Sequence, residues 1–168
     1  MYFVTAFRQL TLCLISVLLI CSCSRYTSTL EDCPWEAHFP QKPAMDTLFN
    51  GKNIRKQRER VTIGERTFRA TCTLWKKPTH KETDERWIKR IVRLLNLDIL
   101  DRHTQHFADH THVRLIANQG CPGSGCSHYW IDSYFDGQAR YVLLYRQPKE
   151  KLDVKGREFL GSIQPKSR

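Results

Sequence analysis

The chain has 168 residues, with 27 lysines and arginines against 17 carboxylates for a formal charge of +10, and 40% of its residues are hydrophobic. That length supports one core and excludes two ordinary domains. The cations are spread over the whole chain without interleaved aromatics on one stretch, which counts against nucleic acid and leaves anionic lipid or an acidic protein as the expected counterpart of the charge.

Residues 10–20 are apolar apart from Thr11, Cys13 and Ser16, Arg8 precedes them, and no carboxylate occurs before Glu31. A positive start, an apolar run of about 7 to 15 residues and small residues at its end form the pattern of a secretory signal. A spanning helix needs about 20 apolar residues, and Arg8 and Gln9 interrupt this run too early. The exit Leu18, Leu19, Ile20, Cys21, Ser22, Cys23 resembles the lipobox of bacterial lipoproteins: aliphatic, tolerant, small, then cysteine. The resemblance implies cleavage before Cys23, lipid on its sulfur, and a cell-envelope location, with Ser24 implying the outer membrane facing the periplasm. Residues 1–22 are then a signal peptide, 23–34 a tether and 35–168 a single domain.

Cys13 and Cys21 leave with the signal and Cys23 carries the lipid, so Cys33, Cys72, Cys121 and Cys126 remain for an oxidising compartment. Four cysteines allow three pairings. The segment from Cys121 through Pro122, Gly123, Ser124 and Gly125 to Cys126 closes a short, flexible loop, which favours that local pair and leaves Cys33 for Cys72.

Along the domain, Trp35, Ala37 and Phe39 alternate as a short strand ended by prolines, and residues 44–60 read as a loop or frayed hairpin around Asn50-Gly51. The densest basic run, Lys52 to Arg60, is expected to be a solvated loop able to lie on anionic head groups. Residues 61–63 and 67–75 flank Gly64 and Glu65 as a hairpin, with Phe68, Ala70, Cys72 and Leu74 on one face. From Glu82 to Leu95 the apolar period becomes helical, with Thr83, Asp84 and Glu85 near the start. Residues 113–117, 127–135 and 138–146 are rich in β-branched and aromatic residues, and Asp136-Gly137 signals a hairpin between the last two. Residues 149–163 predict a closing helix. Apolar residues on both faces of the strand around Trp130 call for cover on each side, so the expected fold is α+β: an antiparallel sheet with helices packed on it.

Phe39-Pro40 with Pro43, a central helix, Pro122-Gly123, Asp136-Gly137 with Arg140-Tyr141, and the terminal Phe159, Leu160, Ser162, Ile163 resemble a group of exported bacterial proteins with the PsbP/Mog1-like layered sandwich. The resemblance implies that fold and no activity. The four-cysteine pattern departs from it.

The candidate chemistry is sparse. His103, His106 and His110 would share one side of a helix over residues 101–110, with Asp101, Asp109, His112 and His128 nearby, and imidazoles so placed suit zinc or copper. The 121–126 loop lacks the spacing of a redox pair, a phosphate loop or a zinc ribbon. Asp132 and Asp136 would make an acid/base pair, but the turn accounts for Asp136. Trp130, Tyr134 and Tyr141 form an aromatic patch that suits either core or a recognition surface. The expectation is a non-enzymatic binding lipoprotein without a cofactor, held on a membrane by its lipid and meeting an acidic protein partner, as an immunity or inhibitor protein or an accessory subunit of an envelope assembly. The alternative expectation is a periplasmic metal-binding protein using His103, His106 and His110.

Overall fold

The computed structural model describes residues 25–77, 82–120 and 125–166. The expected signal segment, Cys23 and Cys121 lie outside them. In chain order the elements are β1 (Tyr26–Thr27), β2 (Trp35–Glu36), β3 (His38–Phe39), β4 (Ala44–Asn50), β5 (Ile54–Ile63), β6 (Arg66–Trp75), α1 (Asp84–Leu95), β7 (Leu97–His106), β8 (Thr111–Gln119), β9 (Ser127–Phe135), β10 (Ala139–Gln147), α2 (Val154–Leu160) and β11 (Gln164–Pro165).

These residues are 54% strand and 14% helix, so the expected α+β layered sandwich is corrected to a predominantly β fold on one seven-stranded antiparallel sheet. The difference has three sources. Residues 44–60, read as a loop or a frayed hairpin around Asn50-Gly51, form a full hairpin of β4 and most of β5; residues 97–106, read in part as a helical histidine segment, form β7; and the closing helix covers only Val154–Leu160.

The strand order is β4-β5-β6-β10-β9-β8-β7, two meanders joined side by side where β10 pairs with β6, Tyr141 opposite Cys72. Side chains alternate between two faces. On the front, Phe68, Ala70, Tyr141, Leu143 and Tyr145 pack against Leu30, Trp35, Ala37 and Phe39 of the N-terminal segment and against Phe159 and Leu160 of α2. On the back, Val113, Leu115, Ile131 and Leu144 receive Trp87 and Ile88 of α1.

The N-terminal segment is fixed by polar groups that a sequence pattern does not advertise. Glu59, buried on the front of β5, accepts hydrogen bonds from the Thr29 backbone N–H at 3.0 and 3.2 Å. Gln57 beside it accepts from Glu31 N at 2.9 Å and donates to Glu31 O at 2.8 Å. A Cys33–Cys72 disulfide, with Cα atoms 6.1 Å apart, closes the clasp. The stretch expected as a tether is therefore packed from β1 onward, with Leu30 fully buried.

Helix α1 starts where Thr83 Oγ1 accepts from Arg86 N at 3.4 Å, carries Asp84 and Glu85 in its first turn, and stops at Asn96 in the left-handed region, φ 49°. Arg140 pins it to the sheet: buried, with its guanidinium 5.0 Å from the Trp87 ring centroid, Nη1 donates to Ser133 Oγ at 3.0 Å and Nη2 to Glu82 O at 3.1 Å. The β9–β10 turn forms as its sequence predicts, Asp136 Oδ1 accepting from Gln138 N and Ala139 N at 2.8 and 2.7 Å, with Gly137 at φ 90°. Among the described residues no helix is long and apolar enough to cross a membrane.

Candidate functional site

The histidine expectation depends on a helix that does not form. His103 and His106 lie on strand β7, opposite Arg114 and Thr111, and three steps along a strand put them on opposite faces. His110, in the following turn, stacks on Phe107 with ring centroids 4.6 Å apart and pairs with Asp109 at 2.7 Å. Among the described residues no group of three or more His, Cys, Asp or Glu side chains is placed to hold a metal ion.

The aromatic patch divides. Trp130 and Tyr141 are core residues of the front face, and the Tyr141 hydroxyl lies 3.1 Å from Ser28 Oγ. Neither is available as a recognition surface. Tyr134 is half-buried and stacks on His112 at 4.5 Å, and burial pushes its hydroxyl up to about 12. Asp132, fully buried, accepts from Arg114 Nε and Nη2 at 2.8 and 2.9 Å and from His112 Nε2 at 3.1 Å. Burial raises the Asp132 carboxyl, but the His112 and Arg114 bonds outweigh it and hold the group below its ordinary range. Asp136 is consumed by its turn, so the two carboxylates are not an acid/base pair. Cys126 is disulfide-bonded.

A different site stands on the back face. Alternation along β5 puts Lys56, Arg58 and Arg60 on the back, because Gln57 and Glu59 turn to the front to hold the N-terminal segment. On the neighbouring strand Arg69, Thr71 and Thr73 share that face, each opposite one of the β5 cations. Helix α1 covers β8 to β10 and stops short of β5 and β6, leaving a cavity of ≈ 210 Å³ along its side. Lys56, Arg58, Arg69, Thr71 and Thr73 form its floor; Trp87, Ile91, Leu94 and Leu95 form an apolar wall, and Arg90 reaches in from the helix.

The electrostatics of this groove are unbalanced. Arg58 and Arg60 share Asp46, each at 3.4 Å, and Arg90 is held by Glu82 at 2.6 Å. Lys56 and Arg69 have no carboxylate within ion-pair distance among the described residues. Arg69 lies directly opposite Arg60 across the two strands, an arrangement of like charges that destabilises a sheet. Burial, then Arg58, Arg90 and Arg69, push the Lys56 ammonium below its ordinary value against a smaller pull from Glu82; burial and Arg58 bring Arg69 down to about 10 against a smaller pull from Asp46. Arg58 Nε is buried without a hydrogen-bond partner. An anion seated beside Lys56 and Arg69 would offset the crowding of like charge around both.

No family model and no curated protein matches the chain.

Read as a solvated loop, residues 52–60 offer no groove. The signal was there: Lys56, Arg58 and Arg60 have period two, and Arg69 follows on the next strand at a position the Gly64-Glu65 turn registers with Arg60.

Proposed function

We propose that the protein is an exported, lipid-anchored binding module of the cell envelope that takes an anionic protein partner on the groove between α1 and the β5–β6 hairpin, without catalysing a reaction on it. The observation that carries this reading is the pair Lys56 and Arg69, held among other cations without a direct ion pair among the described residues, with Glu82 and Asp46 only partly offsetting the positive field. A groove with this surplus of positive charge is matched to a negative ligand. The Cys33–Cys72 bridge supports an oxidising compartment, in line with export. Acylation at Cys23 would bring the domain close to the bilayer, since β1 begins at Tyr26 and three residues span at most about 11 Å.

Two measurements test the proposal. Mass spectrometry of the full chain made in a bacterial host is expected to show an N-terminus at Cys23 carrying acyl chains; an intact Met1 with an unmodified Cys23 overturns the anchor. Thermal unfolding in rising polyglutamate is expected to show stabilisation that salt abolishes and that the Lys56→Gln, Arg69→Gln double variant lacks. An equal response from the double variant overturns the groove as the binding surface.

A further inference from the structure

We infer that the groove takes its partner as an extended segment, in which carboxylates at alternate positions face β5 and the apolar side chain between them turns to α1. The assignment rests on the anion-binding role proposed for the same groove and adds the form of the ligand. Lys56 and Arg58 stand two residues apart on one face of β5, so their stems are separated by about 7 Å. Alternate side chains of an extended peptide have the same spacing. Arg69 continues the positive line one strand over, opposite Arg60.

The facing wall has its own period. Trp87, Ile91, Leu94 and Leu95 fall at i, i+4, i+7 and i+8 of α1 and make an apolar stripe about 12 Å long at about 1.5 Å per residue. About four extended residues cover that length. Positive charge is therefore distributed along the groove, where a single-headed amphiphile would need it gathered at one end. The cavity of ≈ 210 Å³ admits side-chain ends and leaves a peptide backbone at its mouth. Two exposed apolar side chains prolong the contact: Leu94 on the wall, and Phe49 of β4, which pairs across the strands with Lys56. An acidic edge and an apolar edge on one extended segment satisfy both sides of the groove.

Fluorescence anisotropy of the full chain in neutral detergent tests this, with a labelled hexapeptide alternating glutamate and leucine as probe. It is expected to bind about tenfold more tightly than a hexapeptide with three glutamates followed by three leucines. Leu94→Asp, at an exposed position, is expected to erase that preference, and Lys56→Gln with Arg69→Gln to weaken both peptides by about tenfold or more. Circular dichroism matching the unmodified chain establishes that each variant is folded. Equal binding of the two peptides, or displacement of the alternating peptide by equimolar phosphate or dodecanoate, overturns the extended segment while leaving an anion site for another ligand. Binding that ignores the Lys56 and Arg69 changes overturns the anion site as well.

Discussion

Arg140 Nη1 lies 2.7 Å from Asp84 Oδ1, so a guanidinium buried in β10 fastens the first turn of α1 to the back of the sheet. Because the same fork also reaches Ser133 Oγ and the Glu82 carbonyl, Arg140 fixes the height of the helix that walls the groove. Arg140→Met is expected to lower stability by about 3 kcal/mol in urea denaturation, since Asp84 loses its partner. Arg140→Lys is expected to recover little of it, a point charge being unable to reproduce the planar fork. Full recovery by lysine would show that charge alone holds the helix.

The Cys33–Cys72 bridge joins residues 39 apart and closes the N-terminal clasp. By chain entropy such a loop contributes about 4 kcal/mol. Cys33→Ala and Cys72→Ala are each expected to lower stability by about that amount, and the double variant by no more than either single one. Clearly unequal single losses would mean that one cysteine matters for packing apart from the bond.

What the sequence made legible follows from which physical signals were local. The α1 boundaries were readable because Thr83 caps and the apolar period is helical; the β9–β10 hairpin was readable because Asp136 and Gly137 serve one turn. The pairing of Cys33 with Cys72 followed from the shortness of the other loop. Only the 61–63 end of β5 read clearly as strand; the rest was obscured because its front residues Gln57 and Glu59 are polar yet buried, their acceptors answering backbone N–H groups of residues 29 and 31 that are remote in sequence. β7 was hidden because it is an edge strand exposed along most of its length, with no apolar alternation to betray it. The groove needed both strands, and only the period-two cations Lys56, Arg58 and Arg60, with Arg69 beyond the turn, pointed to it.

Asp132 titrates in a way that acid unfolding will register. The His112 and Arg114 bonds hold its folded value below the ordinary 3.8, so its contribution is fully present above that pH and is lost as pH falls through the lowered value. Asp132→Asn is expected to reduce stability by about 2 kcal/mol at pH 7, the scale of hydrogen bonds to a charged group, and to flatten the dependence of stability on pH below about 4. A variant whose acid limb is as steep as that of the unmodified chain would place the sensitive carboxylate elsewhere.

Gly156 in α2 has no room for a side chain: a Cβ there would meet the Tyr145 ring and stand 2.6 Å from Leu152 Cδ1. Gly156→Ala is expected to cost about 1 to 3 kcal/mol despite alanine's better helix propensity, because the crowding outweighs it. A rise in melting temperature would show that α2 can lift from the sheet without loss.

The seam between β6 and β10 governs how the molecule comes together. Each meander forms from strands adjacent in the chain, but Cys72 meets Tyr141 only after α1 and three further strands have been laid down. Closing so wide a circuit is entropically slow, which places this union late in folding and leaves two half-sheets with bare edges until it occurs. Until then the back face has no continuous floor, and a ligand that spans strands on one side and the helix on the other has nothing to recognise.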